Sequence, residues 1–93
     1  MTPRQPYQVE VAPAAQRQFR HLSPADGARL RGPLLALALE PRPPGSAKLE
    51  DTRFWRVRVG DLRLVYLVDD RRRLVIVPRV AKRAERTYRG LGS

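Results

Sequence analysis

Three arginines, Arg56, Arg58 and Arg63, flank a Gly60-Asp61 pair inside the stretch Trp55-Arg56-Val57-Arg58-Val59-Gly60-Asp61-Leu62-Arg63-Leu64-Val65-Tyr66. A guanidinium group is a planar fork that meets a phosphate through two parallel hydrogen bonds. Several of them together can bind a phosphate backbone and neutralise charge that develops on phosphorus. They cannot easily take up a proton, because arginine stays charged to a pH above roughly 12. The chemistry on offer is therefore anion clamping. What must position the clamp is a β-hairpin, since apolar and polar residues alternate on both sides of Gly60-Asp61 and glycine supplies the positive φ of a tight turn.

With residues 60 and 61 as the turn, Val59 faces Leu62, Arg58 faces Arg63, Val57 faces Leu64 and Trp55 faces Tyr66. One face is then apolar (Trp55, Val57, Val59, Leu62, Leu64, Tyr66) and belongs in a core. The other carries Arg56, Arg58 and Arg63, with Arg58 and Arg63 directly opposed. Like charges opposed across a sheet are destabilising. A fold avoids such a pair unless an anion sits between them.

The remaining composition narrows the setting. The chain has 93 residues, of which 42% are hydrophobic. That suits a single domain over residues 1–93, with an ordered core at about 6–90 and short flexible termini. Nineteen Lys and Arg against nine Asp and Glu give a net charge of +10, and only Lys48 and Lys82 are lysines. So basic a domain is built to meet nucleic acid, an anionic membrane or an acidic protein. Cysteine is absent, which excludes disulfides and thiolate metal sites and suits a reducing cytoplasm. No apolar run approaches the roughly 20 residues of a membrane span, and Met1 to Pro6 lacks the apolar core of a secretory signal.

The elements can be read in order. Tyr7, Val9 and Val11 alternate with polar residues as a first strand, and Pro13 suits the start of a helix bearing Ala15, Phe19 and Leu22 on one face. Ser23-Pro24 is an N-cap followed by a first helical position, opening a helix with Leu30, Leu34 and Leu37 on one stripe that closes near Glu40-Pro41. Gly32-Pro33 inside it predicts a kink or a break that divides the segment into two shorter helices. The run Arg42-Pro43-Pro44-Gly45-Ser46 is a loop. After the hairpin come a turn at Asp69 to Arg72 and a strand from Leu74 to Val80 that is apolar on both parities, so its facing stays open. From Ala81 the chain reads as a short polar helix or turn. The expected fold is α+β, a four-stranded antiparallel sheet in the order β-α-α-β-β-β-α, with helices on one face and the arginines on the other.

That order, with these motifs, resembles the RelE/ParE superfamily of type II toxin–antitoxin toxins. The matching stretches are Tyr7 to Val11, Ala15 to Leu22, Glu40-Pro41, Lys48-Leu49, the hairpin Trp55 to Tyr66, and Val80-Ala81-Lys82-Arg83 with Tyr88. The resemblance covers about residues 6 to 90 and favours the RelE-like branch. It implies a metal-independent mRNA endoribonuclease acting in the ribosomal A site, in which the ribose 2′-OH attacks the neighbouring phosphorus.

Carried over by position, the catalytic set is Arg56, Arg58, Arg63, Arg83 and Tyr88, with Lys48, Arg53, Arg79 and Lys82 as RNA-binding residues. Arg56 and Arg58 stand where relatives often carry lysine or glutamate, so the general base is not obvious, and Tyr88 is the candidate. The resemblance also implies a cognate antitoxin in a hetero-oligomer, with no cofactor and no membrane partner. Its other branch implies a ParE-like inhibitor of DNA gyrase that performs no chemistry, and a member that binds nucleic acid without cutting is a third reading. His21 lies on the side away from the arginines. Asp69, Asp70, Glu50 and Asp51 fall in turns without metal-ligand spacing.

Overall fold

The computed structural model describes residues 6–82. Ala81 and Lys82, expected to open a short polar helix or turn, continue the last strand instead, and the rest of that segment, with Arg83 and Tyr88, lies outside the described residues. The elements are β1 (Gln8–Val11), α1 (Pro13–Arg20), α2 (Pro24–Ala36), β2 (Ala47–Lys48), β3 (Trp55–Val59), β4 (Leu62–Asp69) and β5 (Leu74–Lys82). The strands form one sheet in the order β1-β5-β4-β3-β2.

The sheet corrects the expected one in two respects. It has five strands, because the two residues of β2 pair with Arg56 and Trp55 along the outer edge of β3. It is also mixed, because β1 runs parallel to β5, from Gln8 opposite Leu74 to Val11 opposite Val77. Local alternation announces a strand but not its direction. Direction follows from the connection, and here two helices separate β1 from the hairpin and let the last strand return beside the first in the same sense.

Pro13 and Pro24 start the helices as read. Ser23 caps α2 by accepting a hydrogen bond from the Asp26 amide at 3.1 Å. Pro33 does not divide the segment into two helices as expected, for α2 runs through it to Ala36 as one helix. The proline removes one backbone donor close to the helix end, where little ladder remains to be lost. Leu30 and Leu37, on either side of it, are both fully buried and hold the segment on the sheet. The final turn is tied off by the Glu40 amide donating to the Ala36 carbonyl at 3.0 Å.

The core lies between the helices and one sheet face. It gathers Ala15, Leu30 and Leu37 from the helices with Leu62, Leu64, Tyr66, Val75, Val77 and Val80 from the two central strands. The Tyr66 hydroxyl is buried within it and, among the described residues, has no hydrogen-bond partner. Burial pushes the phenol's pKa up, while the Ser46 hydroxyl, close by but outside bonding geometry, and Arg42 pull against it.

One end of the sheet is closed by a network centred on Asp70. Arg42 meets this carboxylate with both terminal nitrogens, at 3.2 and 2.9 Å, and the Tyr7 hydroxyl donates to it at 2.6 Å. The same Arg42 lies 5.2 Å from the centre of the Trp55 ring. The Arg42 hydrogen bonds, then that of Tyr7, depress the Asp70 carboxyl from 3.8 to about 2. A depressed carboxylate adds stability above its unfolded pKa and loses it as pH falls through the folded one. Asp70→Asn is therefore expected to lower the melting temperature at pH 7 by roughly a few degrees, modest because the pair is half exposed. The gap between variant and parent should close between about pH 4 and pH 2. Thermal melts across that range check it, and a constant gap would contradict the assignment.

Candidate nucleic-acid interface

The hairpin pairs as its sequence predicts, with Trp55 opposite Tyr66, Val57 opposite Leu64, Arg58 opposite Arg63 and Val59 opposite Leu62. Gly60 has φ +63°, and it is the one turn residue with positive φ, which fits a type II′ turn. Pairing puts Trp55, Val57, Val59, Leu62, Leu64 and Tyr66 on the helix-covered side. Arg56, Arg58 and Arg63 occupy the open side.

A fourth arginine joins them through an irregularity in β5. Leu67 pairs with Ile76, yet Val65 pairs with Arg79, so Val77 and Pro78 together oppose the single residue Tyr66. This is a β-bulge, and it sits where proline, with no N–H to give the ladder, is tolerated in a central strand. Strict alternation from the buried Val75 and Val77 would turn Arg79 into the core and Val80 out of it. The bulge absorbs Pro78, so Val80 is buried and Arg79 is exposed beside Val65 on the open side. The Val80 amide lies beyond the last β1–β5 pair and is satisfied instead by the Gln18 side chain of α1, at 2.7 Å.

Register brings these four together. Arg56 and Arg79 flank Val65, and Arg58 faces Arg63 one rung nearer the turn. Val65, at 9% exposed, is well covered for a residue on an open face, as expected if the aliphatic stems of its two arginine neighbours lie along it. Carboxylates are spent elsewhere. Asp26 and Asp61 pair with Arg29, Asp26 with Lys82, Asp69 with Arg72 and Asp70 with Arg42. Among the described residues, none of Arg56, Arg58, Arg63 and Arg79 has an acidic partner. Glu10 shares this side only across the sheet, opposite Ile76 on the far edge. Four guanidinium groups without acidic partners have the chemistry to clamp a polyanion, and arginine is a poor proton acceptor.

Other residues singled out by sequence fall apart from this patch. Lys82 is on the helix side, its ammonium donating to Asp26 at 2.7 Å. Lys48 pairs with Trp55 at the sheet edge, so it also shares the helix side, and Arg53 is exposed in the loop before β3. His21 caps the C-terminal end of α1, away from the arginines. Arg83 and Tyr88 lie outside the described residues. Among the described residues no His, Cys, Asp and Glu grouping could hold a metal ion, and no helix is long and apolar enough to cross a membrane. Sequence reasoning missed the Arg42–Asp70–Tyr7 network altogether, since its members are far apart in the chain and share no motif.

Relatives bear on what this face serves. The family model of the ParE toxin of type II toxin–antitoxin systems, parDE, matches residues 9–87. The chain belongs to this toxin family. It is thus a type II toxin of the RelE/ParE superfamily. Among solved structures, the RelBE2 toxin–antitoxin complex of Mycobacterium tuberculosis superposes with a TM-score of 0.76 at 27% identity, over 91% of this chain and 100% of that one. The intact RelBE complex of E. coli gives 0.73 at 27%, over 85% and 98%. The RelE-RelB complex of Pyrococcus horikoshii gives 0.74 at 25%, over 85% and 97%. No curated protein matches the sequence. The family model is that of ParE while these structural neighbours are RelE proteins, so membership alone leaves the toxin's target to its residues.

Proposed function

We propose that this toxin is an endoribonuclease that cuts mRNA on the ribosome, in the cytoplasm, and that the open sheet face holds the scissile phosphate. The observation that carries the reading is the convergence of Arg56, Arg58, Arg63 and Arg79 without acidic partners. In the reaction the ribose 2′-oxygen bonds to phosphorus and the bond from phosphorus to the 5′-oxygen breaks. The products are a 2′,3′-cyclic phosphate and a 5′-hydroxyl. Negative charge builds on the non-bridging oxygens, where guanidinium groups stabilise it. A proton must leave the 2′-OH and another must reach the departing oxygen. Arginine does neither well, so Tyr88, beyond the described residues, is assigned the proton transfer and Arg83 is added to the clamp. A cognate antitoxin is the proposed partner, as in the toxin–antitoxin complexes to which the fold is similar.

A second reading is favoured by the ParE family match together with the missing proton acceptor. In it the toxin binds DNA gyrase and cuts nothing. Purified toxin added to ribosomes programmed with mRNA separates the two. Fragments ending in 2′,3′-cyclic phosphate support the first reading. Intact mRNA together with loss of gyrase supercoiling supports the second and overturns the first.

A further inference from the structure

Arg58 and Arg63 face each other one rung from the hairpin turn, and nothing among the described residues neutralises them. Their repulsion acts to part β3 from β4 beside the turn, while β5 holds only the β4 side of that rung. The reverse side of the sheet carries a ladder of charges that closes on the same turn. Lys82 Nζ donates to Asp26 Oδ2 at 2.7 Å, and Arg29 Nη1 donates to Asp26 Oδ1 at 3.3 Å. Arg29 then reaches the hairpin, with Nη1 3.6 Å from Asp61 Oδ1 and Nη2 donating to the Val59 carbonyl at 3.5 Å.

The Arg29 guanidinium passes close over Gly60, in space that a Cβ would otherwise take. Asp26, only 7% exposed, is the buried charged residue among the described ones and lies in the first turn of α2. Exposed ion pairs such as Arg29–Asp61 contribute little alone. A buried carboxylate behaves differently, because it has given up water and depends on its cations. The Lys82 hydrogen bond holds the Asp26 carboxyl below its usual pKa, with burial opposing.

We infer that the ladder Lys82–Asp26–Arg29–Asp61 latches the turn from behind and keeps Arg58 and Arg63 opposed, which makes Asp26 and Arg29 positioning residues of the cationic face. The use of that face rests on the function proposed above, while the latch itself does not. Released, the turn would open and the two guanidinium groups would part, losing the geometry in which both address one phosphate.

Native-state amide hydrogen exchange on the whole chain tests the latch. The reporters are Val59 and Leu62, the pair that closes a two-residue hairpin turn, with Leu64 as the internal reference. In Arg29→Gln, exchange at Val59 and Leu62 should rise about tenfold or more while Leu64 is unchanged. In Arg29→Gln combined with Arg58→Gln the rise should fall to less than half, because the repulsion is gone. Asp26→Asn should reproduce Arg29→Gln, and Arg29→Gln, a surface change, keeps the experiment decisive if Asp26→Asn fails to fold. Equal acceleration with and without Arg58, or no local acceleration, overturns the inference. Binding of a short single-stranded RNA by the parent, followed by fluorescence anisotropy, tests the face separately. Absence of binding there removes the proposed function and leaves the exchange result to stand on its own.

Discussion

Arg63→Ala should lower single-turnover cleavage of ribosome-bound mRNA by about 10²–10³-fold, the usual cost of removing one preorganised donor aimed at developing charge. Its effect on stability should have the opposite sign. The side chain is exposed and directly opposes Arg58, so truncating it relieves a like-charge pair and creates no cavity. The melting temperature is expected to stay level or rise by a few degrees, roughly, while cleavage collapses. A residue that costs stability and supports activity is one held for function. If the variant cuts at the parent rate, the open face is not where the phosphate sits, and if activity and melting temperature fall together, Arg63 is structural.

Leu64→Ala should have the largest effect on folding, about 2–5 kcal/mol by denaturant unfolding. Leu64 is fully buried in the middle of β4, between Val57 of β3 and Val80 of β5, beneath the helices. The strands that flank it are fixed by their ladders, so the vacated space cannot collapse readily. Small domains have only about 5–15 kcal/mol in total, which places the variant near the threshold of folding. A loss under about 1 kcal/mol would mean that the core repacks and is looser than its burial implies. Leu64 and Arg63 are chain neighbours on opposite sides of one strand. Leu64→Ala is expected to lose stability, and Arg63→Ala to lose activity with no loss of stability, which makes the pair a direct test of which side of the sheet does what.

Much of this was legible in the residues. Alternation around Gly60-Asp61 sets which hairpin side chains share a face, because the period of a strand is two and a two-residue turn leaves one register. The proline starts of both helices, the Ser23 cap and the clustering of Arg56, Arg58 and Arg63 are local facts, and each holds in the fold. The superfamily was readable as well, from the order of such elements. Local rules failed where a distant contact outweighs them. Pro33 does not break α2, because burial of Leu30 and Leu37 offsets the loss of one hydrogen bond. The direction of β1 and the presence of β2 follow from which strand lies alongside, and no residue in either segment encodes that.

The three hairpin arginines were thus determined by the sequence alone, as a cationic face opposed to an apolar one. Tertiary structure decided that the face has a fourth member and that it is free. Arg79 joins because a bulge at Pro78, matched to β4 rather than to any pattern in β5, reverses the facing of everything after it. Lys82, on the other side of that strand, is drawn to Asp26 and leaves the face to the arginines. Periodicity is a property of one segment, whereas register, strand direction and the sharing of few carboxylates among many cations are settled between segments, and only the folded chain brings those together.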